Sequence, residues 1–296
     1  MNPSEIKGKK IVVSVLNWGF GHLSRTIGLM SQLQEQGNEI IFAGDEIQRS
    51  IIRQYFPGIK VLSNEGYSFN FRGKGRFAID LFLSLPKLLW QFNKEKGRVK
   101  QIVQDENPDM IISDHRYGFR SDVIPSIFVT HQLQLPIKWY ERFMQLWHRH
   151  LINRFDKVWV MDTKESKLAG KLSKSRGFNN VLYIGPYSRF MSGEFQTNKY
   201  IDKVLIASGP DVYAQQLVDI FAEPGDIVVC AESIITPDGV KRLSGDWLKQ
   251  DDLIRSAKTI ISRSGYSTIM DAYFLDALFE IIPTPGQREQ EYLSNL

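Results

Sequence analysis

The sequence predicts an α/β protein with two parallel sheets, each covered by helices. Short runs rich in Val and Ile alternate with helical patterns, and runs such as IVVSVL (11–16) are almost wholly apolar, which is typical of strands buried on both faces. The same alternation resumes after residue 200. The 296 residues are also too many for one ordinary domain. We therefore predict two α/β domains, 1–190 and 191–296, joined near 185–200.

The elements follow from apolar runs for strands and from apolar residues at helical spacing for helices. In the first half the predicted strands are 11–16, 39–44, 59–63, 109–114, 126–131 and 157–162, with helices at 24–36 and 45–55. In the second half they are 203–208, 226–232, 259–262 and 279–284, with helices at 213–221 and 266–275. In a doubly wound order the first and fourth strands of the first sheet are neighbours.

Two stretches of the first half, 77–103 and 137–155, interleave Phe, Leu and Trp with Lys, Arg and His. Such helices either lie on anionic lipid or cover a sheet as ordinary amphipathic helices. Pro86 is expected to break the first stretch into two pieces. Residues 1–190 hold 28 Lys and Arg against 17 Asp and Glu, a net charge of +11, whereas residues 191–296 carry −7. This asymmetry favours an anionic partner for the first half, and we expect peripheral contact with an anionic membrane.

Several classes of protein are excluded. The single cysteine, Cys230, allows neither an internal disulfide nor a cysteine-based zinc site. We read no signal peptide and no membrane span, so we expect a cytoplasmic protein, peripheral at the inner membrane face. Nucleic acid is not an expected partner, because the basic residues are spread along the chain and no nucleic-acid motif occurs. Ser24 breaks a GxGxxG pattern, and P-loop, HExxH and GxSxG motifs are absent.

Polar residues follow several strands of the first half. NWGFGH (17–22) comes directly after the first strand, Asp114 ends the fourth, and His131 ends the fifth. Because the carboxyl ends of parallel strands share one edge, we expect His22 to lie near Asp114 and to act as a general base with that carboxylate behind it. Gly19, Gly21 and His131 are assigned to the acceptor side of the same edge.

Two motifs of the second half also follow strands. SRSGYSTIMD (262–271) places small residues at a strand-to-helix junction, where backbone N–H groups and the helix dipole favour a diphosphate. Asp271 falls within the first two turns of that helix, within reach of ribose hydroxyls. PTPGQREQE (283–291) brings carboxamides and carboxylates to the same edge, as a hydroxyl-rich sugar requires.

These segments resemble the GT-B glycosyltransferases related to the bacterial lipid II-forming N-acetylglucosaminyltransferase and the plant galactolipid synthases, a family 28-like group. The resemblance lies in GFGHLSRTIGLMSQLQEQGNEIIFAG, SRSGYSTIMDA and PTPGQREQEYL. It implies two Rossmann-like doubly wound domains facing across a cleft, an N-terminal acceptor domain and a C-terminal donor domain.

The resemblance further implies inverting, metal-independent transfer of a hexosyl or N-acetylhexosaminyl group from a nucleotide sugar, usually a UDP sugar, with no cofactor and no bound metal. The acceptor is expected to be a hydroxyl on a lipid or lipid phosphate, with His22 as its base. The assigned nucleotide-binding residues are Ser208, Gly209, Arg263, Ser264, Gly265, Ser267, Thr268 and Asp271, and the sugar-binding residues are Gln287, Glu289 and Gln290.

The sequence departs from this family at three points. The loop has two glycines where relatives often have more, Asp271 stands where they often have Glu, and the sequence stops at Leu296 without the long helix that crosses back onto the first domain. Two other functions stay open: a UDP-sugar epimerase or hydrolase on the same fold, and a non-catalytic nucleotide-sugar-binding subunit.

Overall fold

The computed structural model describes residues 1–68, 77–137, 142–191 and 199–296, with the backbone alone for 77–83 and 85. It contains two parallel sheets, one of seven strands and one of five. The strands of the first sheet are β1 (Lys10–Val15), β2 (Glu39–Gly44), β3 (Lys60–Ser63), β4 (Met110–Asp114), β5 (Ser126–Thr130), β6 (Lys157–Val160) and β7 (Val181–Tyr183). The strands of the second are β8 (Ile201–Ala207), β9 (Ile227–Cys230), β10 (Lys241–Leu243), β11 (Ala257–Arg263) and β12 (Leu278–Ile282).

The order of the first sheet is β3-β2-β1-β4-β5-β6-β7. Successive strands are therefore added in one direction from β1 to β3 and in the opposite direction from β4 onward, and the reversal lies between β1 and β4. Val15 at the end of β1 lies beside Asp114 at the end of β4. The order of the second sheet is β10-β9-β8-β11-β12, with its reversal between β8 and β11. Both reversals are topological switch points, where ligands bind in open α/β sheets.

The helices are α1 (Gly21–Glu35), α2 (Glu46–Tyr55), α3 (Phe77–Glu106), α4 (Arg142–Ile152), α5 (Asp211–Phe221), α6 (Trp247–Arg255), α7 (Tyr266–Phe274) and α8 (Arg288–Leu293). α1 begins three residues earlier than expected, so His22 is inside the helix. Part of the second amphipathic stretch, 138–141, lies outside the described residues, as does 192–198 of the expected linker.

The expected break at Pro86 is wrong, because α3 continues through it. Proline removes one backbone hydrogen bond. In α3 Pro86 is exposed, and the helix beyond it is anchored by buried Leu88, Phe92 and Val99. The packing of that later part against the sheet outweighs the lost bond.

One apolar cluster joins the two halves of the chain. It contains Leu23 and Ile27 of α1 together with Tyr266 and Met270 of α7. α1 and α7 therefore pack on each other, and they bring the carboxyl edges of the two sheets together. Among the described residues no helix is long and apolar enough to cross a membrane.

Candidate active site

His22 and Asp114 meet at the carboxyl edge of the first sheet. The Nδ1 atom of His22 lies 2.8 Å from Oδ1 of Asp114. Asp114 is fully buried, whereas the His22 side chain is 17% exposed. Within the described part of the chain no hydrogen bond involves Nε2 of His22, so this nitrogen is the one a ligand would meet.

Arg25 is the principal partner of Asp114. Its Nε donates to Oδ2 over 2.7 Å, and its Nη2 donates to Oδ1. Thr26 adds a donor to Oδ2 at 3.1 Å. Burial alone would raise the pKa of Asp114, but the charge of Arg25, aided by His22, holds that pKa well below its usual range. Asp114 is therefore ionised, and the positive charge of Arg25 balances its negative charge.

His131 connects this group to the C-terminal half. Its Nδ1 lies 2.7 Å from Nη1 of Arg25, and its Nε2 lies 2.9 Å from Oε1 of Glu289. Gln132 donates to the other oxygen of Glu289, also over 2.9 Å. Burial lowers the pKa of His131. Burial would raise the pKa of Glu289, but its hydrogen bond with His131 and the electrostatic effects of His131, His22 and Arg25 together outweigh burial and lower that pKa.

Tyr266, the first residue of α7, fixes the ring of His131. The two rings are stacked with centroids 4.1 Å apart and planes 6° from parallel. The Tyr266 hydroxyl donates to the carbonyl of Met161 over 2.5 Å. α7 is therefore attached directly to the first sheet.

A third histidine, His115, packs beside both His22 and His131. It has a left-handed backbone (φ 56°), and its ring centroid is 5.0 Å from that of His22. Its Nε2 lies 2.5 Å from Oγ1 of Thr130. Burial and the nearby cationic groups hold the pKa of His115 well below its usual range, so the ring is neutral.

The two glycines of the 17–22 loop serve different purposes. Gly19 has φ 90°, a conformation that L side chains rarely adopt. Gly21 lies against α7, and a Cβ there would fall 2.6 Å from Oγ of Ser267. Gly21 thus allows the His22 loop and the SRSG loop to approach each other.

The expected diphosphate residues share the carboxyl edge of the second sheet. Ser208 and Gly209 follow β8, and Ser264 and Gly265 follow β11, its neighbour. Gly265 is the N-cap of α7, and Ser267 and Thr268 lie in the first turn of that helix. These positions surround a helix N-terminus with backbone N–H groups and hydroxyls.

Arg263, at the end of β11, adds a buried positive charge to this edge. Its Nη atoms donate to the carbonyls of Tyr213 and Pro283, at 2.6 Å and 3.3 Å. Its Nε is buried and has no hydrogen-bond partner among the residues that the structure describes. Buried polar atoms are nearly always paired, so this N–H group requires an acceptor.

Asp271 lies on the side of α7 that faces the chain between the two sheets. It accepts a hydrogen bond from Ser188, and Nη1 of Arg189 lies 3.9 Å from its Oδ2. Burial raises the pKa of Asp271 to about 6, although Arg189 opposes the shift. Asp271 therefore already has partners within the chain, Ser188 and Arg189.

The residues expected to bind the sugar follow β12. Gln287 is the N-cap of α8. Gln290 accepts a hydrogen bond from the backbone N–H of Thr284 over 2.9 Å, which closes its own turn. Glu289 is held by His131 and Gln132 as described above. Of these three residues, Glu289 alone contacts His131, which links it to Arg25, Asp114 and His22.

Sequence reasoning assigned no role to Arg25, Tyr266 or Arg189. A signal for Arg25 was present, because it follows His22 by three positions and residues at that spacing lie on the same helix face. Arg189 donates to Asp251 at 2.5 Å and to Ser24 at 2.8 Å, contacts that depend on the three-dimensional arrangement of both halves.

In the described parts of the chain, no group of three or more His, Cys, Asp or Glu residues is placed to hold a metal ion. No protein-family model matches the sequence, and no curated protein matches it.

Comparison with solved structures identifies the fold. The glycosyltransferase of kitacinnamycin aligns with a TM-score of 0.60 at 15% identity, over 97% of this chain and 84% of that one. The spinosyn rhamnosyltransferase SpnG, complexed with thymidine diphosphate, aligns with a TM-score of 0.59 at 12% identity, over 97% and 90%. The S. aureus MnaA–UDP structure aligns with a TM-score of 0.57 at 13% identity, over 97% and 88%.

The fold is of the GT-B type. The two parallel α/β sheets match these structures over nearly the whole chain, which confirms the fold class expected from the sequence. At such low identity the likeness concerns the GT-B fold alone, and the activity must be argued from the residues of the site.

Proposed function

We propose that this chain is a glycosyltransferase that moves a hexosyl or N-acetylhexosaminyl group from a UDP sugar to an acceptor hydroxyl with inversion. In this proposal 1–190 is the acceptor domain and 191–296 is the donor domain. The observation that carries it is the contact between Gly21 and Ser267, which sets a candidate base and a candidate phosphate cradle side by side.

His22 is the proposed base. The Nδ1 atom of His22 lies 2.8 Å from Oδ1 of Asp114 and also 2.8 Å from Nη2 of Arg25, which itself donates to that Oδ1. In the proposal Nδ1 carries the ring proton and donates it to Asp114, which leaves the Nε2 lone pair for the acceptor. Nε2 takes the acceptor proton while the acceptor oxygen bonds to the anomeric carbon. The bond from that carbon to the diphosphate oxygen breaks, and the electron pair leaves with the nucleotide.

The leaving diphosphate is stabilised from the donor side. The N–H groups of the first turn of α7 point toward it, and the helix dipole favours negative charge there. The Nε–H group of Arg263 is a further donor at this edge. Fixed donors of this kind stabilise charge that develops in a transition state.

The experiment is a titration of UDP, thymidine diphosphate and GDP by calorimetry, followed by a transfer assay with the corresponding sugars and mass detection of products. We expect UDP to bind, and we expect His22→Gln to lower kcat at least about a hundredfold while leaving the UDP Kd within twofold. Arg263→Met should weaken UDP binding instead. Absence of binding by every nucleotide refutes the proposal.

The acceptor is proposed to be a lipid or lipid phosphate bound beside α3. A cavity of about 270 Å³ is lined by Tyr67, Trp90, Lys94 and Arg98, among others. It adjoins the 17–22 loop, since Asn17 accepts a hydrogen bond from the backbone N–H of Tyr67 over 2.9 Å. The lining also contains Arg116 together with Glu65 and Glu95, which pair with Lys94 and Arg116, so its charged side chains sum to +1. An aromatic wall with a net positive charge suits an anionic amphiphile.

Exposed apolar residues of α3 and α4 support contact with the membrane surface. Trp90 is 62% exposed and Leu146 is 57% exposed. Both belong to the half of the chain with a net charge of +11. Basic helices with exposed aromatic and aliphatic residues bind anionic interfaces.

Vesicle sedimentation tests this contact. We expect binding to vesicles that contain anionic phospholipid, little binding to neutral vesicles, and weaker binding by the double variant Trp90→Ser, Leu146→Ser. Ile220→Ser is the matched control, because Ile220 is 72% exposed on α5 in the acidic half. Equal binding to neutral and anionic vesicles contradicts the membrane proposal.

The hydrolase alternative is less well supported by this site. A hydrolase that uses a carboxylate as its general base needs a carboxylate oxygen that is free to contact water. Both oxygens of Asp114 and both oxygens of Glu289 already accept hydrogen bonds from Arg25, His131 or other neighbours. Product analysis separates the alternatives: free sugar indicates hydrolysis, an isomeric UDP sugar indicates epimerisation, and nucleotide binding without turnover indicates a binding subunit.

A further inference from the structure

We infer that Arg25 is a positioning residue that fixes the ring proton of His131 on Nε2 and thereby holds Glu289 in place. The catalytic meaning of this link rests on the proposed function, whereas the position of the proton does not. Nothing in the sequence motifs assigned a role to Arg25.

The position of the proton follows from the chemistry of the two groups. Arg25 is 2% exposed, and its guanidinium has only N–H donors and stays protonated. Its Nη1 lies 2.7 Å from Nδ1 of His131, so that nitrogen must offer its lone pair. A neutral imidazole with a bare Nδ1 carries its proton on Nε2. That proton points at Oε1 of Glu289, 2.9 Å away.

A doubly protonated His131 is disfavoured in this position. Its Nδ1–H group would face the N–H groups of Arg25 at hydrogen-bond distance, and two donors repel. The ring is buried, and the charged or ionisable groups that face it are Arg25, His22, His115, Tyr266 and Glu289. The stacked ring of Tyr266 holds the plane of the His131 ring, so each nitrogen stays directed at its partner.

Arg25 therefore organises groups on both sides of the junction. Its Nε and Nη2 hold Asp114, which lies behind His22, and its Nη1 orients His131, which donates to Glu289. Without Arg25, Nδ1 of His131 would be free to take up a second proton, while Glu289 would still keep a proton on Nε2. His131 would then be a cation, and the neutral hydrogen bond that holds Glu289 would be replaced by an ion pair.

The test is NMR of the full chain with ¹⁵N-labelled histidine, which observes five residues. His131→Gln assigns the His131 signals. At pH 7.5 we expect wild-type His131 to show a bare Nδ1 and a protonated Nε2, and we expect Arg25→Gln to abolish this pattern. Thr26→Val is the matched control, because it removes a different donor to Asp114 and should leave the His131 pattern intact.

A wild-type His131 that is doubly protonated, or that carries its proton on Nδ1, overturns the inference without any need for a variant to fold. An unchanged pattern in Arg25→Gln overturns it as well. Arg25→Lys keeps the charge but loses the planar fork, and it provides a second, milder variant.

Kinetics test the link to catalysis. We expect Arg25→Lys to lower kcat at least tenfold and to change the KM for the donor by less than threefold. A wild-type kcat in this variant, together with a lost His131 pattern, refutes the link. If wild-type protein shows the expected His131 pattern but no sugar transfer, the proposed function fails and the proton assignment stands.

Discussion

Gly28 and Gly97 are both helical glycines, yet we expect their replacement by alanine to have opposite effects on stability. A Cβ at Gly28 would lie 2.9 Å from the carbonyl carbon and 3.1 Å from the backbone nitrogen of Ser188, and closer still to its carbonyl oxygen. Real Cβ atoms almost never approach other atoms within 3.0 Å. At Gly97 of α3, no atom of the described residues lies within 4 Å of the added Cβ, apart from the two chain neighbours and the adjacent backbone of the helix itself.

The two substitutions share the gain in helix propensity, about 1 kcal/mol. Gly97→Ala should show this gain, with a free energy of unfolding up to about 1 kcal/mol higher. Overpacking of a buried contact costs typically 1–3 kcal/mol, and the obstruction at Gly28 is backbone that cannot rotate away. Because backbone obstructs the added Cβ, we take the upper end of that range for Gly28→Ala, and after subtracting the gain in helix propensity we expect a net loss of about 2 kcal/mol.

Thermal unfolding measures the difference directly. One kcal/mol corresponds to about 2–4 °C in Tm for a protein of this size class. We expect Gly28→Ala to unfold about 4–8 °C below wild type and Gly97→Ala to unfold at or above the wild-type Tm. If Gly28→Ala is as stable as Gly97→Ala, the packing of α1 against Ser188 is not as described.

Three further substitutions test buried polar contacts by urea unfolding. Burial raises the pKa of Asp271 to about 6 from 3.8, so the folded state favours the protonated form and loses stability as the pH rises through 6. The variant Asp271→Asn should therefore be up to about 3 kcal/mol more stable than wild type at pH 7.5, and this difference should vanish below pH 4. An equal difference at both pH values would contradict this. Asn38→Ala removes three hydrogen bonds to backbone groups and should cost about 3 kcal/mol, and a loss below 1 kcal/mol would show that these groups find other partners. Tyr266→Phe removes the hydroxyl from Met161 and should cost about 1 kcal/mol, whereas greater stability would mean that this bond is strained.

The central strands were predictable because each one is a continuous apolar run. EIIFAG matches β2 (Glu39–Gly44) to the residue, and IVVSVL is displaced from β1 by one position. The edge strands β7 and β10 were not predicted. Each has three residues, and β10 reads KRL, which carries no apolar pattern. Such strands form because a neighbouring strand offers hydrogen bonds, which local sequence does not record.

The site was predictable to the extent that strand order determines it. The proximity of His22 to Asp114 followed from the doubly wound order, since both residues follow adjacent strands. The contact of His131 with Glu289 depends on how the two sheets meet, and the sequence gives no measure of that. Asp271 was expected at the ribose because of its place in a motif, but its hydrogen bond with Ser188 depends on the path of the chain between the sheets.

The apolar cluster that contains Leu23 and Ile27 together with Tyr266 and Met270 has a consequence for how the molecule comes apart. Neither sheet can lose its structure without exposing apolar side chains of the other. The chain should therefore melt in a single calorimetric transition, with equal calorimetric and van't Hoff enthalpies. The two halves of this molecule have separate sheets, but they should unfold together.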